Sequence, residues 1–114
     1  MKTRPFALAS SIAAAVLALG TSLPACAVDA AAAEALAKKS NCTKCHAVAA
    51  KKEGPSFKET AAKYKGKADA EQKLYVHLTT NPKIKVDGEE EEHESLKTKN
   101  DADIRNVVQW ILSQ

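Results

Sequence analysis

The apolar residues of this chain change their spacing from one segment to the next, and the changes divide it into elements. Phe6 to Leu19 is a nearly unbroken apolar run behind Lys2 and Arg4. From Asp29 the pattern is helical: Asp29 caps an alanine-rich helix to about Lys39, with Leu36 as its main large apolar residue. Ser40-Asn41 ends that helix, and Gly54-Pro55 reads as a turn. Ser56 caps a short helix through Tyr64, carrying Phe57 and Tyr64, and Gly66 breaks it. Asp69 opens a third helix in which Leu74 and Leu78 lie one turn apart, and Asn81-Pro82 stops it. Lys83 to Asn100 predicts a long loop anchored only by Ile84, Val86 and Leu96. Asp101 caps a last helix in which Ile104, Val107, Val108 and Ile111 recur at helical spacing, joined by Trp110. No strand pattern, repeat or linker stands out, so the expected class is all-α with irregular connections.

The first segment does not belong to that domain. A basic start, an apolar run, the Gly20 to Pro24 breaker and Ala25-Cys26-Ala27 together form an export signal with a small-x-small cleavage site. The expected division is a cleaved signal over 1–27 and one domain over 28–114. The run is short for a membrane span and has no stop-transfer flank, so the protein is not expected to be transmembrane. Leu23-Pro24-Ala25-Cys26 loosely resembles a lipoprotein box, but Pro24 fits it poorly, and Cys26 is expected to leave with the signal. Losing Lys2 and Arg4 lowers the formal charge from +3 to about +1, which gives no support to nucleic-acid binding. Lysines concentrate between Lys38 and Lys85 and acids between Asp87 and Asp103.

Two cysteines then remain, in Cys42-Thr43-Lys44-Cys45-His46. On a helical turn, cysteines three apart lie on one side and reach the two vinyl groups of one porphyrin. The adjacent His46 then places its imidazole beneath the iron as the proximal ligand. Competing chemistries lack their context. A dithiol redox site wants a strand–helix frame, zinc wants a second ligand pair, and a structural disulfide leaves His46 without a use. Haem c, one and covalent, is the expected cofactor.

With these residues in view, the chain resembles a small bacterial class I cytochrome c over essentially all of the mature sequence. The likeness extends through Gly54-Pro55-Ser56-Phe57, Ala61-Ala62-Lys63-Tyr64 and the ending Asp101-Ala102-Asp103 to Leu112. It implies about four helices wrapped around one haem, with the first and last crossing. It also implies that the Pro55 carbonyl accepts a hydrogen bond from the His46 ring, and that the function is single-electron transfer.

One departure matters. Such proteins use methionine as the second axial ligand, and the only methionine here is Met1. His93, 17 positions before Trp110, stands where that methionine falls and is the expected replacement. His77, beside Leu78, is the weaker candidate. The surrounding Glu89 to Glu92 and Glu94 read as a solvated loop, with one of them accepting from the His93 ring as the sharper expectation. Bis-histidine ligation implies a potential below that of Met/His relatives. It also implies a periplasmic carrier docking on redox partners, membrane-bound ones included, through lysines near the haem edge such as Lys44, Lys51 and Lys52. The alternative is a haem sensor or small-ligand binder with an open or labile sixth position.

Overall fold

The computed structural model describes residues 27–114; residues 1–26 of the expected signal segment, Cys26 among them, lie outside the described residues. Five helices and one hairpin follow in order: α1 Ala30–Lys39, α2 Cys42–Cys45, α3 Phe57–Tyr64, α4 Ala70–Thr79, β1 Lys83–Val86, β2 Glu89–Glu92 and α5 Asp101–Leu112. The helical class is as expected, with α2 a single turn added to the four anticipated helices.

The caps explain where the helices start. The Asp29 carboxylate accepts from Ala32 N–H at the head of α1. At α3, Ser56 Oγ accepts from Glu59 N–H while Glu59 accepts from Ser56 N–H, a reciprocal capping box. The cap of α5 is Asn100, whose side chain accepts from Asp103 N–H, one residue before the expected Asp101. Asp69 precedes α4 without a side-chain capping bond.

The core is built on α5, which buries Ile104, Val107, Val108, Trp110 and Ile111. Helix α1 meets it through Ala33 and Ala37, each 1% exposed, while Leu36 is only partly buried. Small side chains let the two backbones come close, and polar bonds then lock them. Asp29 N–H donates to Asn106 Oδ1 (2.9 Å), and Asn106 Nδ2 donates back to the Asp29 carbonyl (2.8 Å). Phe57 from α3 packs edge-on to Trp110 at 5.1 Å, and Leu74 and Leu78 bring α4 to the same core.

The expected loop after α4 is instead an antiparallel hairpin, with Val86 opposite Glu89 and Lys83 opposite Glu92. Asp87 (φ 51°) and Gly88 (φ 87°) make its two-residue turn. Positive φ at both central positions is what a tight type I′ hairpin needs, and Asp-Gly supplies it cheaply. Beyond the hairpin, residues 93–97 form a strap tied to both neighbouring helices. His93 N–H donates to the Pro82 carbonyl, Leu96 N–H to the Leu78 carbonyl, and Lys97 N–H to the hydroxyl of buried Ser40. Among the described residues no helix is long and apolar enough to cross a membrane.

Candidate functional site

Helices α1, α3, α4 and α5, the α2 turn and the strap enclose one cavity of about 750 Å³. Its apolar wall includes Phe57, Leu74, Leu78, Val107 and Ile111. Cys42, Cys45, His46, Pro55, His77 and His93 all line it, so every residue singled out from the sequence as a ligand or anchor arrives at one place. A shallower depression of about 580 Å³, beside Tyr64 and Lys67, contains neither thiol nor imidazole.

The two thiols are free and project from a single helical turn. Asn41, left-handed at φ 64°, turns the chain sharply out of α1 into that turn. Burial pushes the Cys42 thiol pKa up. Cys45 is raised first by donating to Glu53 Oε2 (3.2 Å) and then by burial. Both sulfurs are therefore held as neutral thiols.

His46 is restrained on three sides. Its Nδ1 lies 2.7 Å from the Pro55 carbonyl, as the resemblance implied. A carbonyl only accepts, so Nδ1 carries the hydrogen and Nε2 keeps its lone pair. Its ring stacks on Phe57, with centroids 5.5 Å apart and planes 23° from parallel. Gly54 supplies the third restraint: a Cβ there would lie 2.4 Å from His46 Cε1. The glycine is thus needed for clearance, a role its reading as a turn residue did not reveal.

His93 faces this group from the strap, its ring centroid 6.1 Å from that of His46. Its Nδ1 is buried and has no hydrogen-bond partner among the described residues. Burial, with His77 and His46 adding repulsion, lowers its pKa from 6.5 to about 4, so the ring is neutral and available as a donor. The expected glutamate partner is not realised. Glu94 accepts from Asn41 Nδ2 (3.1 Å), and Glu89 to Glu92 are exposed. His77, half-buried on α4, packs its ring 4.3 Å from that of His93, a contact the sequence did not signal.

The mouth of the cavity is mixed in charge. Lys44 and Lys51 line it together with Glu53, Glu91, Glu92 and Glu94. Lys52 is turned back onto the Thr43 carbonyl (2.6 Å). Among the described residues there is no ready cluster of three or more metal-ligating side chains. The donor set instead suits a large, flat, mostly apolar group: two neutral thiols on one turn, an oriented imidazole, and a second, neutral imidazole facing it across an apolar cavity. A haem fits that description.

Comparisons with known proteins agree with this chemistry. The family model described as cytochrome c matches residues 30–114. Cytochrome c-551 of Azotobacter vinelandii is 35% identical over 83 residues, covering 70% of this chain and 94% of that protein. Cytochrome c-551 of Allochromatium vinosum is 54% identical over 39 residues, 34% of this chain and only 42% of that relative's length. Among solved structures, the class 1 cytochrome MtoD from Sideroxydans lithotrophicus ES-1 is 53% identical with a TM-score of 0.73, covering 76% of this chain and 97% of that one.

Proposed function

This chain belongs to the cytochrome c family, and from that premise we propose that it is an exported single-electron carrier whose haem iron is held between His46 and His93. The family's single covalent haem c is the cofactor, and the chain is an electron carrier rather than an enzyme. When bound, the haem supplies a one-electron couple at its iron.

The chain's residues do the rest. Cys42 and Cys45 tether the porphyrin from one helical turn. Pro55 holds His46 through Nδ1 (2.7 Å), which leaves Nε2 to face the metal. The observation that carries the distal assignment is the 6.1 Å between the His46 and His93 ring centres. Facing each other at that separation across the cavity, the two rings would hold the haem iron between them. Two imidazoles favour oxidised iron more than imidazole and thioether do, so the potential lies below that of Met/His relatives.

The export signal over 1–27, the mature domain over 28–114 and a periplasmic location are part of the same proposal, supported by the composition of the N-terminal segment. Redox partners would meet the cavity mouth near Lys44, Lys51 and Lys52. The glutamates beside them make that steering weaker than a pure lysine rim would give.

The deciding experiment is the absorption spectrum of the haem-loaded protein and its His93→Ala variant in both oxidation states. The parent is expected to be low-spin, six-coordinate and slow to take up carbon monoxide, and the variant high-spin and fast to bind it. A low-spin variant refutes His93 as ligand. A high-spin parent that binds carbon monoxide favours the ligand-binding alternative.

A further inference from the structure

The two facing imidazoles are restrained very differently. His46 has a hydrogen bond from Nδ1, a stacked phenyl ring and a glycine pressed against it. The backbone of His93 is well anchored, its N–H donating to Pro82 and its carbonyl accepting from Asn81 Nδ2 (3.1 Å). Its ring has no such anchor: Nδ1 makes no hydrogen bond among the described residues, and the neighbouring carboxylates are exposed or engaged elsewhere. With its other nitrogen held by the iron, the plane of that ring would still be set by packing alone, since Nδ1 offers no hydrogen bond. Its other aromatic neighbour besides His46 is His77, with centroids 4.3 Å apart and planes at 54°. Leu74 and Leu78, buried on either side of His77 along α4, fix the helix that presents it.

We propose that His77 is a positioning residue: its ring, packed against that of His93, sets the plane in which the distal imidazole faces His46. The inference rests on the assignment of His93 as the distal ligand. It explains why a half-buried histidine stands in an apolar cavity next to another histidine without bonding to it. A flat ring at that tilt blocks the rotation that an aliphatic side chain of similar size would leave open. The 50° angle between the His46 and His93 planes is then a consequence of two separate supports, Phe57 with Pro55 on one side and His77 on the other.

The test uses the haem-loaded protein with His77→Ala and His77→Phe. The ferric low-spin electron paramagnetic resonance signal depends on the angle between two axial imidazole planes, and a merely structural role for His77 leaves it unmoved. His77→Ala is expected to stay low-spin but show a shifted or broadened signal. Losing one aromatic contact should also raise the rate at which carbon monoxide displaces the distal ligand from ferrous haem by about two- to tenfold. His77→Phe keeps a flat ring and is expected to retain the parent signal and rate. An unchanged signal and rate in His77→Ala overturn the inference, as does a His77→Phe protein that shifts as far as His77→Ala. A high-spin His93→Ala protein alongside an unchanged His77→Ala signal refutes this inference alone. A low-spin His93→Ala protein refutes the ligand assignment and this inference with it.

Discussion

Replacing Gly54 by alanine adds a single methyl group at the most crowded point of the proximal side. That methyl would sit 2.4 Å from His46 Cε1 and 2.8 Å from Nδ1, where ordinary contact begins near 3.4 Å. The ring or the backbone must give by about 1 Å. Moving the ring weakens the 2.7 Å bond to Pro55 and disturbs the stack on Phe57. Moving the backbone disturbs the bond from Gly54 N–H to the Cys45 carbonyl (2.8 Å) within the same attachment segment. Overpacking of this kind costs about 1–3 kcal/mol, and one weakened hydrogen bond adds about 1 kcal/mol. A total of about 2–4 kcal/mol lowers the melting temperature of a domain this size by roughly 8 °C or more. Thermal unfolding of the haem-loaded Gly54→Ala protein, followed at the haem absorption band, measures it. A melting temperature within 2 °C of the parent, with an unchanged haem spectrum, refutes the claim that Gly54 is required for clearance.

Other expectations follow from single contacts. Ser40→Ala leaves the Lys97 N–H of the strap without its acceptor and should cost about 1–2 kcal/mol in urea unfolding. Asn106→Ala removes both bonds that join α5 to Asp29 and should cost a similar amount, whereas an unchanged urea midpoint would show that apolar packing alone holds α1. Ser56→Ala breaks the capping box of α3 for about 1 kcal/mol, read in the same assay. For pH, burial lowers the pKa of His77 in the folded protein below its ordinary 6.5. The unfolded chain then binds more protons below about pH 6.5, so this contribution to stability is complete above that value and is lost as pH falls. The haem-loaded parent should therefore lose more stability between pH 7 and pH 5 than its His77→Gln variant, and equal losses would contradict the burial of His77.

What the sequence reveals depends on whether the cause is local. Cys42, Cys45 and His46 announce themselves because the chemistry needs them adjacent. Ser56 with Glu59, and the apolar period of α5, are equally local signals. The hairpin is less legible. Glu89 to Glu92 has no alternation of polar and apolar residues, so only Lys-Ile-Lys-Val and the Asp87-Gly88 turn mark it. Large residues mislead in α1: Leu36 draws attention, but close helix contact selects Ala33 and Ala37. The pairing of His77 with His93 depends on the course of the strap over α4, and no spacing rule predicts it.

The same division between local and long-range causes separates the two faces of the site. Every restraint on the His46 ring comes from Gly54, Pro55 and Phe57, within a short stretch of chain that also begins at the thiol anchors. The position of His93 is assembled from distant parts: Ser40 at the end of α1, Leu78 in α4, and Asn81 with Pro82 beyond it. Opening the strap breaks a few hydrogen bonds, each with a net value of about 1 kcal/mol, exposes Leu96 for about 1.5–3 kcal/mol more, and leaves the thioether-anchored side intact. Local opening of that size is far cheaper than global unfolding of a domain. On the reading proposed here, any perturbation of the strap therefore frees the distal position before it disturbs the proximal one. Electron carriage and ligand capture are then two states of one protein, separated by the stability of residues 93–97, and the strap contacts decide which state dominates.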